Sequence, residues 1–196
     1  ILINNGSPDG SFDGNDYFGS SSGGPVKISW AQIVSQLGIS NAILNTSNVS
    51  SDLGSGNIQT ASPSPDLAST NTLSLIAENN IVVNGSITNN QTGNIVMQAG
   101  FDGISYGLGG ITLNAPVSTG GEVHLIAGGD ITQQASGSIT AAGLKAVSDS
   151  GAVNLANLSA TNAVNKIAGS AKGQFAFRNN GALEIGTVGG VSGITA

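Results

Sequence analysis

Thr72-Leu73-Ser74-Leu75-Ile76-Ala77, Asn94-Ile95-Val96-Met97-Gln98-Ala99 and Glu122-Val123-His124-Leu125-Ile126-Ala127 decide the fold, because they make one statement three times. Each is apolar at its second and fourth places and carries Ala at its sixth. A turn follows, then a second apolar pair or single: Ile81/Val83, Ile111/Leu113 and Ile131. A third piece closes each unit at Ile87-Thr88, Val117-Ser118 and Ile139-Thr140. The starts at 72, 94 and 122 lie 22 and 28 residues apart, and the longer gap holds an insert, 101–109. Self-similarity at a near-fixed period marks a stacked repeat architecture.

Each unit offers strands of two to five residues, too short to stand as isolated hairpins. A sandwich would ask for ordinary strands with hairpin turns about every 8–12 residues. If equivalent strands instead lie over one another, Leu73, Ile95 and Val123 form one interior column and Leu75, Met97 and Leu125 the next. Ala77, Ala99 and Ala127 then fill a narrow corner. The expected fold is all-β, a parallel β-helix (solenoid) over 1–196, each turn advancing by the inter-strand spacing of about 4.8 Å. Asn84, Asn114 and Gln134 each follow the Ile81, Ile111, Ile131 column by three residues, which predicts an amide ladder at one corner.

Outward from this centre the pattern is looser. Ile1-Leu2-Ile3-Asn4 reads as a short strand, and 5–24, rich in Gly, Ser and Asp, as an extruded loop like 101–109. Gly14-Asn15-Asp16-Tyr17-Phe18 is similar to half of a calcium-binding nonapeptide repeat, with Asp9 and Asp13 nearby. One copy completes no site, so a solvated turn is expected there. The spacing predicts one helix, 29–37, with Ser29 as cap, Gln32 completing a capping box and Gly38 as stop. Trp30, Ile33, Val34 and Leu37 share its apolar face, which makes Trp30 a core anchor rather than a sugar platform. Strands are expected at 42–46 and 57–60, separated from the central units by the Pro-containing connector 61–66. Later, Leu144-Lys145-Ala146, Val153-Asn154-Leu155, Gln174-Phe175-Ala176-Phe177 and Leu183-Glu184-Ile185 alternate, and 148–165 is expected to bulge as a second insert.

Composition narrows the function. Charged residues make up 8% of the chain, against roughly 25% in ordinary globular proteins. With a net charge of −6, Lys27, Lys145, Lys166, Lys172 and Arg178 form no basic cluster for nucleic acid. No apolar run approaches the roughly 18 residues of a membrane span. The absence of cysteine excludes disulfides and thiolate metal sites and fits export through an oxidising space. A start at Ile1 with no signal peptide suggests an internal piece of a longer chain.

Catalysis on polysaccharide needs clustered carboxylates. Asp9, Asp13, Asp16, Asp52, Asp66, Glu78, Asp102, Glu122, Asp130, Asp149 and Glu184 give no such cluster on the alignment, so neither catalytic nor metal residues nor a cofactor are expected. His124 alternates outward between Val123 and Leu125, in line with Ser74 and Val96, and reads as a solvated surface histidine. Sequons at Asn45, Asn48, Asn84, Asn90 and Asn157 could accept glycan, and this Asn/Ser/Thr-rich composition produces them by chance about as well. Binding, if present, belongs at the inserts rather than the flat faces.

Lys27-Ile28-Ser29-Trp30-Ala31-Gln32-Ile33-Val34-Ser35-Gln36-Leu37, followed by Leu44-Asn45-Thr46, Gly56-Asn57-Ile58, the Thr72 unit with Asn79-Asn80-Ile81-Val82-Val83, and Ala127-Gly128-Gly129-Asp130-Ile131, resembles the filamentous haemagglutinin-like exoproteins of bacterial two-partner secretion. The likeness is strongest over roughly residues 25–140. It implies a right-handed β-helical shaft, secreted through an outer-membrane partner barrel to the cell surface or medium. There the shaft serves as an adhesin toward a host-cell or glycan receptor, or as the stalk of a contact-dependent toxin. The competing expectation is a carbohydrate-acting β-helix enzyme, since fold alone does not decide function.

Overall fold

The computed structural model describes residues 1–22, 24–51, 56–101 and 107–196. The chain is mostly β, 49% strand against 6% helix, with long parallel sheets and one α-helix. Alternation sets the strands: Leu73–Ala77 and Ile95–Ala99 each turn first, third and fifth side chains inward and the others out. The three central segments stack in parallel, with Leu73, Ile95 and Val123 in register, then Leu75, Met97 and Leu125, then Ala77, Ala99 and Ala127. The columns extend both ways, to Ala42 and Leu44 on one side and Leu144 and Ala146 on the other. These side chains belong to one hydrophobic cluster, and Leu75, Met97 and Leu125 are wholly buried.

Ile81–Val83, Ile111–Leu113, Ile131–Gln133, Val153–Leu155 and Phe175–Phe177 stack in the same order as part of an eight-stranded parallel sheet. That sheet continues the other way through Ile58–Thr60 and Leu2–Asn4 to Lys27–Ser29. Ile87–Asn89 and Val117–Thr119 form a third wall. Ile139–Ser148 turns the corner, pairing first with Val117–Thr119 and then with Glu122–Ala127. Leu144-Lys145-Ala146 is thus the far end of the strand that begins at Ile139.

The buried side chains of Thr60, Gln133 and Asn162 are paired. Thr60 Oγ1 donates to the Gly85 carbonyl (2.7 Å) and accepts from the Gly85 N–H (3.0 Å). The buried carboxamides of Gln133 and Asn162 bond each other, and Asn162 Nδ2 also donates to the Leu155 and Arg178 carbonyls.

The predicted amide ladder has one rung. Asn114 Nδ2 donates to Asn84 Oδ1 at 2.7 Å. Gln134 follows in backbone register, but among the described residues its carboxamide does not continue the chain. A longer ladder stands at the corner ahead of the Ile81 wall. Asn57 Oδ1 accepts the Asn80 N–H (2.9 Å), Asn80 Oδ1 that of Gly110 (2.9 Å), and Asp130 Oδ1 that of Ala152 (2.7 Å).

The helix Trp30–Leu37 follows the terminal strand Lys27–Ser29 and buries Trp30, Ile33 and Leu37 in the core cluster. Ser29 caps it, accepting from the Gln32 N–H. The Gln32 side chain donates instead to the Gly10 carbonyl, so no reciprocal box forms. Gly38 has φ −69°, an ordinary right-handed value, and its stop is not a left-handed glycine turn. Trp30 Nε1 donates to the Ser62 carbonyl (2.9 Å), as a core anchor requires.

Two loop expectations are corrected, and a third falls largely outside the described residues. Segment 5–24 contains an antiparallel hairpin, Gly10–Asp13 with Asp16–Ser21, turning at Gly14 with φ +58°. Tyr17 anchors it, wholly buried and edge-on to Phe12. Glycine at the first central place of a two-residue turn is what such a hairpin needs. Segment 148–165 does not bulge: Val153–Leu155 continues the parallel sheet, and Ala160 and Asn162 are buried. Inward alternation survives there although Ser148 stands where the earlier units carry Ala. Of 101–109, residues 102–106 lie outside the described residues, and the returning limb packs against the Gly128-Gly129 turn.

Candidate functional site

The corner ladder borders a surface groove of about 470 Å³, within the usual range of ligand clefts. Its floor is the outer face of the parallel sheet, where Gln59, Val82, Thr112 and Thr132 project from successive strands. Asn57, Asn80 and Asp130 line one side, and Leu108, at 85% exposure, stands beside them.

Two glycines set the position of Leu108. A Cβ added to Gly128 would sit 1.7 Å from the Gly107 carbonyl oxygen, and one on Gly129 would sit 2.4 Å from that of Leu108. Both clashes are with backbone, so any side chain there displaces the limb that carries Leu108. The Gly129 N–H also donates to the Gly109 carbonyl at 2.9 Å.

Side-chain orientation in the groove follows from the ladder. Because Oδ1 of Asn57 and of Asn80 each accepts a backbone N–H, Nδ2 is the atom left to face outward. Neither Nδ2 has a hydrogen-bond partner among the described residues. Asp130 keeps Oδ2 in the same way, and Thr132 Oγ1 donates to Thr112 Oγ1 (3.3 Å). Among the described residues no basic side chain lines the groove, and Asp130 is its one acid.

The other candidate residues fall elsewhere. Asp9 Oδ2 accepts the Lys27 N–H (2.9 Å), Asp16 Oδ1 accepts from Asn48 Nδ2 (3.1 Å), and Asp13 faces Asp16 across the hairpin turn. Among the described residues no three His, Cys, Asp or Glu side chains come together as a metal site would require. Tyr17 donates its hydroxyl to the Lys27 carbonyl, and burial, with the Asp9 charge adding, pushes its pKa up to about 12. The backbone N–H groups of Asn90 and Ala68 hold the Asp66 carboxyl below its ordinary range. Asp52 and Asp102 lie outside the described residues. Of the sequon asparagines, Asn48, Asn84 and Asn90 are engaged with Asp16, Asn114 and Asp66.

His124 is not the solvated residue that alternation predicts. Its Nε2 lies 2.7 Å from Glu122 Oε2, and its side chain is 15% exposed. It does point outward in register with Val96 and Ser74, but the C-terminal hairpin, Thr187–Val188 with Val191–Ser192, folds over that face. Gly189 rests on the imidazole, Lys145 Nζ donates to the Gly189 carbonyl (3.1 Å), and Val188 packs on Gly143.

Sequence reasoning missed the groove because its corner residues Asn57, Asn80 and Asp130 are 22 to 51 residues from Leu108 along the chain. The available signal was Asn or Asp directly ahead of the isoleucine of three units: Asn57-Ile58, Asn80-Ile81 and Asp130-Ile131. Among the described residues no helix is long and apolar enough to cross a membrane. Comparison with protein-family models, with curated proteins and with solved structures gave no significant match.

Proposed function

We propose that the chain is a right-handed parallel β-helical stretch of a secreted bacterial adhesin of the filamentous haemagglutinin-like kind, a display shaft without catalysis. The observation that carries the reading is the unbroken register of Leu73, Ile95, Val123, Leu144 and Ile167 through five parallel strands. Chain order visits the three walls in the same sequence in successive units, and parallel crossovers within one sheet are right-handed in about 98% of cases. Low charge supports export, because an unfolded chain with few ion pairs to satisfy can cross an outer-membrane partner barrel and fold outside, unit upon unit.

The groove favours binding over hydrolysis. Glycoside hydrolysis uses a pair of carboxyl groups across the scissile bond, and Asp130 stands there with one oxygen committed to Ala152. The test is export. Fused behind a two-partner secretion domain and expressed with its outer-membrane partner, the chain should reach the cell surface protease-resistant and make the cells adhere to host cells. Degradation in the periplasm, or surface display with no gain in adherence, overturns the reading. Release of oligosaccharides from a polysaccharide by the purified chain would move it to the enzymes.

A further inference from the structure

We propose that the groove beside Leu108 binds a neutral, extended glycan lying along the stacking direction, about one sugar per strand. The inference rests on the stacked geometry of the proposed shaft and adds to it a ligand class and a place.

Three observations carry it. The first is chemical. The outward Nδ2 groups of Asn57 and Asn80 are donors, Oδ2 of Asp130 is an acceptor, and Gln59 and Thr112 offer both. A mixed set of this kind matches hydroxyl groups, which donate and accept. Among the described residues a polyanion would meet Asp130 with no cation to offset it, and a polycation would find one carboxylate among neutral amides.

The second is preorganisation. Asn57, Asn80 and Asp130 each have one oxygen fixed by the backbone N–H of the next strand, so their outer atoms are held before any ligand arrives. Side chains already ordered forfeit little entropy on binding, which is the usual cost of recognition by amides on a free surface.

The third is spacing. Gln59, Val82, Thr112 and Thr132 are neighbours across consecutive parallel strands, so equivalent atoms recur about every 4.8 Å. The rise of an extended β-1,4-linked hexose chain is slightly longer than that spacing and alternate rings are turned over, so over these four strands successive sugars stay near successive strands, with a small offset and with like ring faces on every second one. Val82 and Leu108 supply apolar contact for the C–H faces of the rings.

Two substitutions test this while leaving the ladder in place. Asn80→Asp keeps the oxygen that accepts from Gly110 and exchanges the outward donor for a second negative charge. Asp130→Asn keeps the oxygen that accepts from Ala152 and removes the charge. By calorimetry, the full chain should bind a neutral β-1,4-linked glucose hexasaccharide and not the matching uronic acid hexasaccharide. Asn80→Asp should weaken the neutral ligand by about tenfold, the worth of one good hydrogen bond. Leu108→Ser should weaken it as well, and Asp130→Asn should allow the uronic chain to bind. If Asn80→Asp lowers the melting temperature, Gln59→Ala takes its place, since among the described residues that side chain holds no backbone group.

Absence of neutral hexasaccharide binding by a folded chain, equal affinity for both ligands, or binding untouched by the groove variants overturns the proposal. These outcomes differ from failure of the shaft reading, which would show in export and in the folding of shortened chains, neither of which involves a ligand.

Discussion

Leu75 touches the strands on both sides of it through the Leu44–Leu75–Met97–Leu125 column and is wholly buried. Replacing it with Ala leaves a void that neighbours held by two ladders close poorly. Leu75→Ala should therefore cost about 2–5 kcal/mol, measured by urea denaturation, whereas the outward neighbour Ser74→Ala should cost within about 0.5 kcal/mol. Tyr17 makes a pH prediction. Its pKa is raised from 10.0 to about 12, so the unfolded chain loses this proton first and stability falls as pH climbs from about 10 towards 12. A Tyr106→Phe chain, followed by tyrosinate absorbance, should show one late transition that moves down to the ordinary value in denaturant. The core columns were legible in the sequence because period-two alternation fixes which residues turn inward. The cover over His124 was not, since the glycine that provides it comes 65 residues later, although its partner Glu122, two residues back on the same face, follows from the same alternation.

At the scale of elements, the helix could be read from its cap and apolar face, whereas the hairpin at 10–21 was hidden by composition. Its turn, Gly14-Asn15 between Phe12 and Tyr17, carries the right signal, but the Ser, Asp and Gly around it read as loop. The C-terminal hairpin is a lid on an outward face, held by Val188 on Gly143 and by Lys145 on the Gly189 carbonyl. Lys166 and Glu184, 3.1 Å apart, tie down the chain leading into it. Removing residues 187–196 should expose the one histidine in the sequence while the parallel walls remain. Diethylpyrocarbonate should then modify His124 several times faster, read by mass spectrometry, with the strand signal in circular dichroism retained. An unchanged rate would mean the hairpin does not shield that face in solution.

The whole molecule is quasi-one-dimensional if its repeats are as interchangeable as their register suggests. Positions 94 and 122 occupy the same place on adjacent strands, so excising 94–121 joins Gly93 to Glu122 across a matched seam. The shortened chain should fold with the same strand signature and a melting temperature within a few degrees of the parent. Collapse to an unfolded chain would show that the units depend on one global core. What the sequence could not supply at this scale was the groove, because it needs Leu108 and three corner residues from different units side by side.

The backbone hydrogen bonds between stacked strands run along the length of the molecule, as in the links from Ala42 to Thr72 and from Leu73 to Asn94. A pull applied at the two ends loads those links a few at a time rather than all at once, so segments should peel away in succession. Each released segment of some 20 residues adds roughly 70 Å of slack. If the chain is the adhesin shaft proposed above, a cell tethered by it would ride out a surge of flow by letting the strand lengthen, and optical tweezers would record the event as a staircase of low-force steps.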